Sequence, residues 1–260
     1  MKVFLGGARG SFPVTGADKL RYGGDTFALL AESRDGAQAL IDAGSGVRNL
    51  KDRLRPGGTL FFTHVHLDHL IGLPALVDVW PKQLVFPSGD LRPALERVFS
   101  PPVWPVKLPA AEYPVPPGPL DVGGLRIGWH ALAHPDGCLA YRLDEPATGA
   151  CAVVATDVEW AAMTPRAQDA FAAFARGADL LAFDAQYRPD EYAAHRGWGH
   201  STWADAAEAA RRCGAAKLWL IHHAPGRTDA EIDALAAEAA VACKGAVVPA
   251  GERMTETLHE

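Results

Sequence analysis

Seven residues, THVHLDH at 63–69, follow directly on the apolar run TLFF at 59–62. His64, His66, Asp68 and His69 crowd into six positions, an arrangement that core packing or a surface turn does not explain. Imidazole nitrogen and carboxylate oxygen are the donors that borderline divalent cations prefer. In an extended segment His64 and His66 point to the same side and can share one ion. Asp68 and His69, where the chain turns, can face a second. Six residues cannot close two such sites, so the fold must deliver further ligands from elsewhere. Three lie just past apolar runs: His134 after GWHALA, Asp157 after CAVVAT and His222 after LWLI. Strand ends hold a ligand rigidly. His130 and His223 compete for two of these places. His130 sits inside its run, and His223 would point opposite to His222 along a strand.

The order of elements restricts the fold. KVFLGG, TFALLAES, AQALIDAG and GTLFFTHV read as strands, with a turn at SRDGAQ. LIGLPALVDVW and LRPALERVF read as helices. After residue 119 strands resume with LRIGWHALAH, CLAYRL and ACAVVATD. Helical and strand-like segments then alternate: TPRAQDAFAAFARG, ADLLAFDA, WADAAEAARRCG, KLWLIHH, a helix from Thr228 opened at capping-box spacing with Glu231, and GAVVPA. No repeat is visible. Two sheets packed face to face with helices outside, a four-layer α/β/β/α sandwich in one domain over residues 1–260, accommodate this order. The proline-dense stretch 100–119 cannot form regular structure and reads as a surface loop. The alternatives are a lid, with Trp104 and Tyr113 as a binding wall, and an interface in a homodimer.

Composition excludes several classes. The chain of 260 residues carries a formal charge of −6, so nothing advertises a nucleic-acid surface. Cys138, Cys151, Cys213 and Cys243 have no paired spacing and read as buried reduced thiols, with Cys138 close enough to His134 in sequence to approach a site. The first residues, MKVFLGG, are too short an apolar stretch for a secretory signal, and no run reaches membrane-spanning length. The expectation is a cytoplasmic protein without membrane partners.

The pattern His-x-His-x-Asp-His, followed by His134, Asp157 and His222, resembles the metallo-β-lactamase superfamily over residues 3 to 225 or so. That resemblance implies two divalent ions, zinc first, with manganese or iron as alternatives. It assigns His64, His66 and His134 to one ion and Asp68, His69 and His222 to the other, with Asp157 bridging. Asp42, in LIDAGSG, resembles the early aspartate that orients metal ligands from behind. An ion pair of this kind ionises a bridging water near neutral pH. The resulting centre keeps a net positive charge, which suits an anionic substrate.

A second stretch narrows the branch. WGHSTW at 198–203, with the helix and strand that follow it, resembles RNase Z and related phosphodiesterases, whose loop histidine lies at the active site. By that resemblance His200 is a catalytic residue together with Asp68, and Asp184, in FDAQY, supports it. A histidine just ahead of a helix N-terminus can also hold a phosphate oxygen or protonate a leaving alkoxide. The alternative is a plain turn whose Ser201 or Thr202 caps the helix. GGARGSFPV at 6–14 resembles the glycine-rich first turn of the same branch, which makes Arg9 and Ser11 candidate substrate contacts, with Trp198 as a wall. Only the segment 135–156 separates His134 from Asp157, leaving no room for the tRNA-grasping arm usual in RNase Z. The expected activity is therefore hydrolysis of a small phosphodiester, cyclic ones included, by a metal-bridging hydroxide. A β-lactamase, lactonase or thioester hydrolase, an RNase Z-like endonuclease, and a metal-binding sensor without turnover are the alternatives.

Overall fold

The computed structural model describes residues 1–243 and 245–259. Two sheets form its centre. The first runs in the order β13 (Thr255–Thr257), β1 (Lys2–Gly7), β2 (Ala28–Glu32), β3 (Gln38–Ile41), β4 (Thr59–Phe61) and β5 (Gln83–Val85). The second runs β12 (Ala246–Pro249), β11 (Lys217–Ile221), β10 (Leu180–Asp184), β9 (Ala150–Ala155), β8 (Cys138–Glu145), β7 (Leu125–Leu132) and β6 (Leu120–Val122). Both sheets are mixed, with three antiparallel and two parallel pairs in the first and three of each in the second. The parallel pairs are β3–β4 and β4–β5 in the first sheet, and β9–β10, β10–β11 and β11–β12 in the second.

Side-chain alternation explains the layering. A strand sends successive residues to opposite faces, and a sheet covered on both sides needs apolar residues at every position. In β9, Ala152 and Val154 enter the core between the sheets, while Cys151, Val153 and Ala155 face outward into a second core. In β2, Leu29 and Ala31 face inward while Ala28 and Leu30 face out. Phe61, Tyr141, Trp219 and Ile221, all fully buried, fill the space between the sheets. Burial of side chains this size contributes about 1.5–3 kcal/mol each.

Helices close both outer faces. α2 (Pro165–Phe174), α4 (Trp203–Cys213) and α5 (Asp229–Ala242) cover the second sheet. α4 does so with Ala206, Ala209, Ala210 and Cys213, a stripe of small residues at helical spacing. Thr202 and Asp205 form a reciprocal cap at its start, and Gly214, at φ +66°, ends it. The first sheet is covered by α1 (Arg92–Val98) and by a 3-10 helix, Leu73–Val79. That latter segment reads as an α-helix from sequence, but Pro74 removes a backbone donor at its start and the turn stays tight. Residues 100–119 form no helix or strand. Trp104 packs edge-on against Phe99, and Trp104 and Tyr113 both cover the outer core of the first sheet. A short helix, α3 (Tyr192–His195), lies in the connection between β10 and α4. No helix among the described residues is long and apolar enough to cross a membrane.

Candidate metal centre

The chemistry-bearing side chains gather beyond the carboxyl ends of β3, β4, β7, β9, β10 and β11, where open α/β sheets present their functional groups. Asp42 follows β3, His64–His69 follow β4, His134 follows β7, Asp157 follows β9, Asp184 ends β10 and His222 follows β11. At three of these positions the backbone turns through the left-handed region: Asp42 at φ +57°, Asp157 at +48° and His222 at +60°. Such conformations cost a non-glycine residue about 1–3 kcal/mol and persist where the surroundings dictate them. Here they swing each side chain off its strand toward a common point.

His64, His66, His134 and Asp157 offer donor atoms within 4.8 Å of one another, as do Asp68, His69 and His222. Asp157 spans both groups. Its Oδ2 lies 3.5 Å from His64 Nε2, and its Oδ1 lies 3.2 Å from both His69 Nε2 and His222 Nε2. Asp68 Oδ2 adds distances of 3.3 Å to His69 Nε2 and 3.5 Å to His222 Nε2. None of these contacts has hydrogen-bond alignment. His64 Nε2, His69 Nε2 and His222 Nε2 are buried polar atoms without a partner. An orphaned buried group of this kind costs about 1–3 kcal/mol. Donors that face a shared point rather than each other fit a pair of divalent cations, with Asp157 between them.

The opposite nitrogen of every one of these five rings is engaged. His64 Nδ1 meets Thr63 Oγ1 at 3.0 Å, and His66 Nε2 meets Asp136 Oδ2 at 3.0 Å. His69 Nδ1 meets Asp42 Oδ2 at 2.8 Å, His134 Nδ1 the Gly199 carbonyl at 3.1 Å, and His222 Nδ1 the Gln186 Oε1 at 2.9 Å. His66 is turned the other way from the rest, its Nδ1 lying 3.3 Å from His134 Nε2. These partners fix each ring's tautomer and aim the free nitrogen inward. Asp42 also accepts from the Thr63 amide and hydroxyl. Thr63, Asp136 and Gln186 have no motif that marks them in the sequence. Gln186 stands two residues past Asp184, and Thr63 one before His64.

Electrostatics favour ligation. Burial would raise the Asp157 carboxyl, but His222, His69 and His64 hold it well below the ordinary range. Asp68 is likewise held down, against burial, by His69 and His222. Burial and the neighbouring His69 press His64 well below its ordinary value, so it stays a neutral donor.

His200 lies against this cluster. Its ring stacks on His222 at 4.7 Å between centroids and stands 5.6 Å from His134. Nδ1 is held at 2.8 Å by Asp184 Oδ2, a carboxylate that also accepts from the Val158 and Gln186 amides. Burial opposes a charge on the ring, yet Asp184, with Asp157 and Asp68 beyond it, raises His200 to about 9 from the protein's own groups alone. The ring stands two residues ahead of Thr202, the N-cap of α4, whose first turn is closed by the Thr202–Asp205 cap. Both sequence alternatives thus coexist: Thr202 caps the helix and His200 meets the ligands.

The remaining candidates divide. Arg9 is fully buried, donating from Nε to the Gly23 carbonyl and from Nη1 to the carbonyls of Ala224 and Arg227. It ties the 222–227 loop to the N-terminal turn, and its burial, in place of the exposure a phosphate contact needs, corrects that expectation. Gly10 comes so close to the His222 ring that an added Cβ would lie 2.4 Å from it, so the glycine-rich turn serves packing at this point. Ser11, exposed and at φ +62°, donates its amide to Asp68 Oδ2 at 2.8 Å. Trp198 is 61% exposed, one residue from Gly199 at the cluster's edge. His223 is buried against the Ala250 carbonyl and His130 packs on Phe171 and Phe174, so neither replaces a proposed ligand. The four cysteines are free thiols; Cys138 Sγ lies 3.8 Å behind His64 Nδ1.

Residues 38–223 match the family model of the beta-lactamase superfamily domain. A relative named ribonuclease Z, from Haloarcula marismortui, is 25% identical over 313 aligned positions, covering 100% of this chain and 97% of its own length. Among solved structures, the metallo-beta-lactamase fold protein YhfI of Bacillus subtilis superposes with a TM-score of 0.74 at 21% identity, covering 98% of both chains. A diphosphatase from the PhnP family gives 0.70 at 17%, covering 100% of this chain and 99% of that one. With the four-layer fold and its histidine-rich, metal-ligating centre, the chain belongs to the metallo-β-lactamase superfamily.

Proposed function

We propose that the protein is a dinuclear metal-dependent phosphodiesterase acting on a small phosphodiester, cyclic ones included. The observation that carries the reading is His200: an imidazole held by Asp184 through Nδ1, with Nε2 left free, stacked on the metal-ligating His222. A positioned acid beside the cation ligands is what departure of an alkoxide requires, whereas a metal site alone hydrolyses many kinds of bond. His64, His66 and His134 would hold one ion, Asp68, His69 and His222 the other, and Asp157 both. Zinc is the ion we assign, although the donor set also admits manganese and iron. Such ions, when bound, supply an activated water and positive charge for the developing oxyanion. The protein's own contribution is to keep the ring nitrogens oriented, to keep Asp68 and Asp157 ionised, and to deliver a proton from His200 Nε2 to the leaving oxygen.

Support for this branch comes from the ribonuclease Z name of the Haloarcula relative and the diphosphatase of the PhnP family that shares the fold. A small substrate is favoured over RNA on two grounds. Only tight turns join β7, β8 and β9 between His134 and Asp157, and the chain carries a charge of −6. The decisive experiment offers metal-analysed protein a phosphodiester with an alkoxide leaving group and a chromogenic β-lactam, with His200→Ala alongside. Phosphodiester turnover near two metals per chain, falling about 100-fold or more in the variant, is expected. Lactam turnover with an unimpaired variant would refute the reading.

A further inference from the structure

We propose that Glu159 is the positioning residue that holds the His200 loop against the metal ligands. The proposal rests on the reading of His200 as the leaving-group acid. Glu159 stands two residues past Asp157, and its amide donates to the Ala133 carbonyl at 2.8 Å, beside His134. Its side chain turns inward and is buried. Oε1 accepts from the Gly197 amide at 2.8 Å and the Tyr192 hydroxyl at 2.7 Å, and Oε2 accepts from the Gly199 amide at 3.1 Å. Among the described residues no lysine or arginine pairs with it. A buried carboxylate satisfied by three neutral donors binds together the segments that supply them.

What it ties down is the approach to His200. Gly197 and Gly199 both adopt positive φ, +84° and +87°, so the Gly-Trp-Gly turn has little conformational preference of its own. An added Cβ on Gly199 would lie 2.0 Å from His134 Nδ1, and the Gly199 carbonyl accepts from that same nitrogen. The turn therefore rests directly on a metal ligand, and His200 is the next residue. Asp184 orients the His200 ring but touches none of the backbone of 197–199. On the far side, Ser201 Oγ accepts from the Trp160 amide at 3.1 Å and donates to the Val158 carbonyl. The three residues after Asp157 thus hold both flanks of His200, and Glu159 is the side chain that binds the amides of both glycines on the nearer one.

The test compares metal-loaded wild type with Glu159→Ala and Glu159→Gln, reading amide hydrogen exchange across the chain and turnover of two phosphodiesters. One substrate has a nitrophenolate leaving group, which needs no acid, and the other an alkoxide, which does. Exchange at Gly197 and Gly199 is expected to rise about tenfold or more in the alanine variant and less in the glutamine variant, which keeps one acceptor oxygen. The kcat for the alkoxide substrate should fall about tenfold or more, with KM little changed and nitrophenolate release nearly unaffected. Wild-type exchange at both amides in a folded alanine variant overturns the proposal, as does an equal loss on both substrates. If the alanine variant does not fold, unchanged exchange in the glutamine variant overturns it instead. Should wild type hydrolyse neither ester, the phosphodiesterase reading fails, and the exchange result still decides whether Glu159 holds the loop.

Discussion

Gln186→Leu isolates the contribution of one buried amide to the second metal position. Gln186 Oε1 is the partner of His222 Nδ1, at 2.9 Å in a buried setting. With that acceptor present, the ring carries its proton on Nδ1 and presents Nε2, the orphaned nitrogen, toward Asp68 and Asp157. Leucine fills a similar volume and accepts nothing. The ring is left with a buried N–H unpaired, at a cost of about 1–3 kcal/mol, or turns over and loses its aim. Loss of an outer partner of a metal-bound histidine generally weakens the metal about 10–100-fold, and at 1.4 kcal/mol per decade the two figures agree. The expectation is two-step binding in which only one step weakens by that factor, because His64, His66 and His134 do not contact Gln186. Titration of the metal-free protein against a chromophoric chelator measures both steps. Gln186→Glu, which keeps an acceptor, should retain binding far better. Two unchanged steps in the leucine variant would refute the reasoning.

Gly199→Ala introduces a Cβ 2.0 Å from His134 Nδ1 on a residue at φ +87°, so metal content should fall toward one ion per chain, or Tm should fall by several degrees, as elemental analysis and calorimetry will show. Chelation should be stepwise: the His66 side chain is 39% exposed, against 0%, 1% and 7% for His69, His222 and Asp68, so the ion on His64, His66 and His134 should leave first. A single-phase loss of both ions in a timed chelator assay would contradict that order. His223 is held near 3 by burial, so between its ordinary value of 6.5 and 3 the unfolded chain binds a proton that the folded chain refuses. Stability in the metal-free protein should therefore be complete above pH 6.5 and decline as pH falls, by up to about 1.4 kcal/mol per pH unit from this residue. His223→Gln should remove that part of the slope in urea midpoints measured from pH 6.5 to 4.5.

The layers were legible because strands buried on both faces read as unbroken apolar runs, as in CAVVA and KLWLI, and the cluster at 64–69 required ligands at other strand ends. His134, Asp157 and His222 answered that requirement, since a polar residue ending such a run has few other uses. The partners of those ligands were not legible. Gln186 and Glu159 act through contacts of 36 and 40 residues' separation, which no local pattern encodes. Asp136 is an ordinary turn residue until the β7–β8 hairpin brings it to His66. Arg9 misleads for a related reason: an arginine in a glycine-rich turn suggests an anion, but the sequence does not tell which way the turn faces. Isolated bridges from Arg9 to Thr26 and His223 direct the side chain inward.

Each group of cation ligands draws on both sheets. His64 and His66 come from beyond β4 and His134 from beyond β7; Asp68 and His69 share the first origin, while His222 and Asp157 lie beyond β11 and β9. A nascent chain that has folded only β1 to β5 can present three histidines and an aspartate, but neither group complete. Tight ion capture must then wait until the sheets have met, and the affinity gained is also energy holding them together, rising with the logarithm of free metal concentration. Loading becomes a late event that inspects the assembled molecule, and a chain that fails to close its sandwich stays both loosely packed and metal-poor.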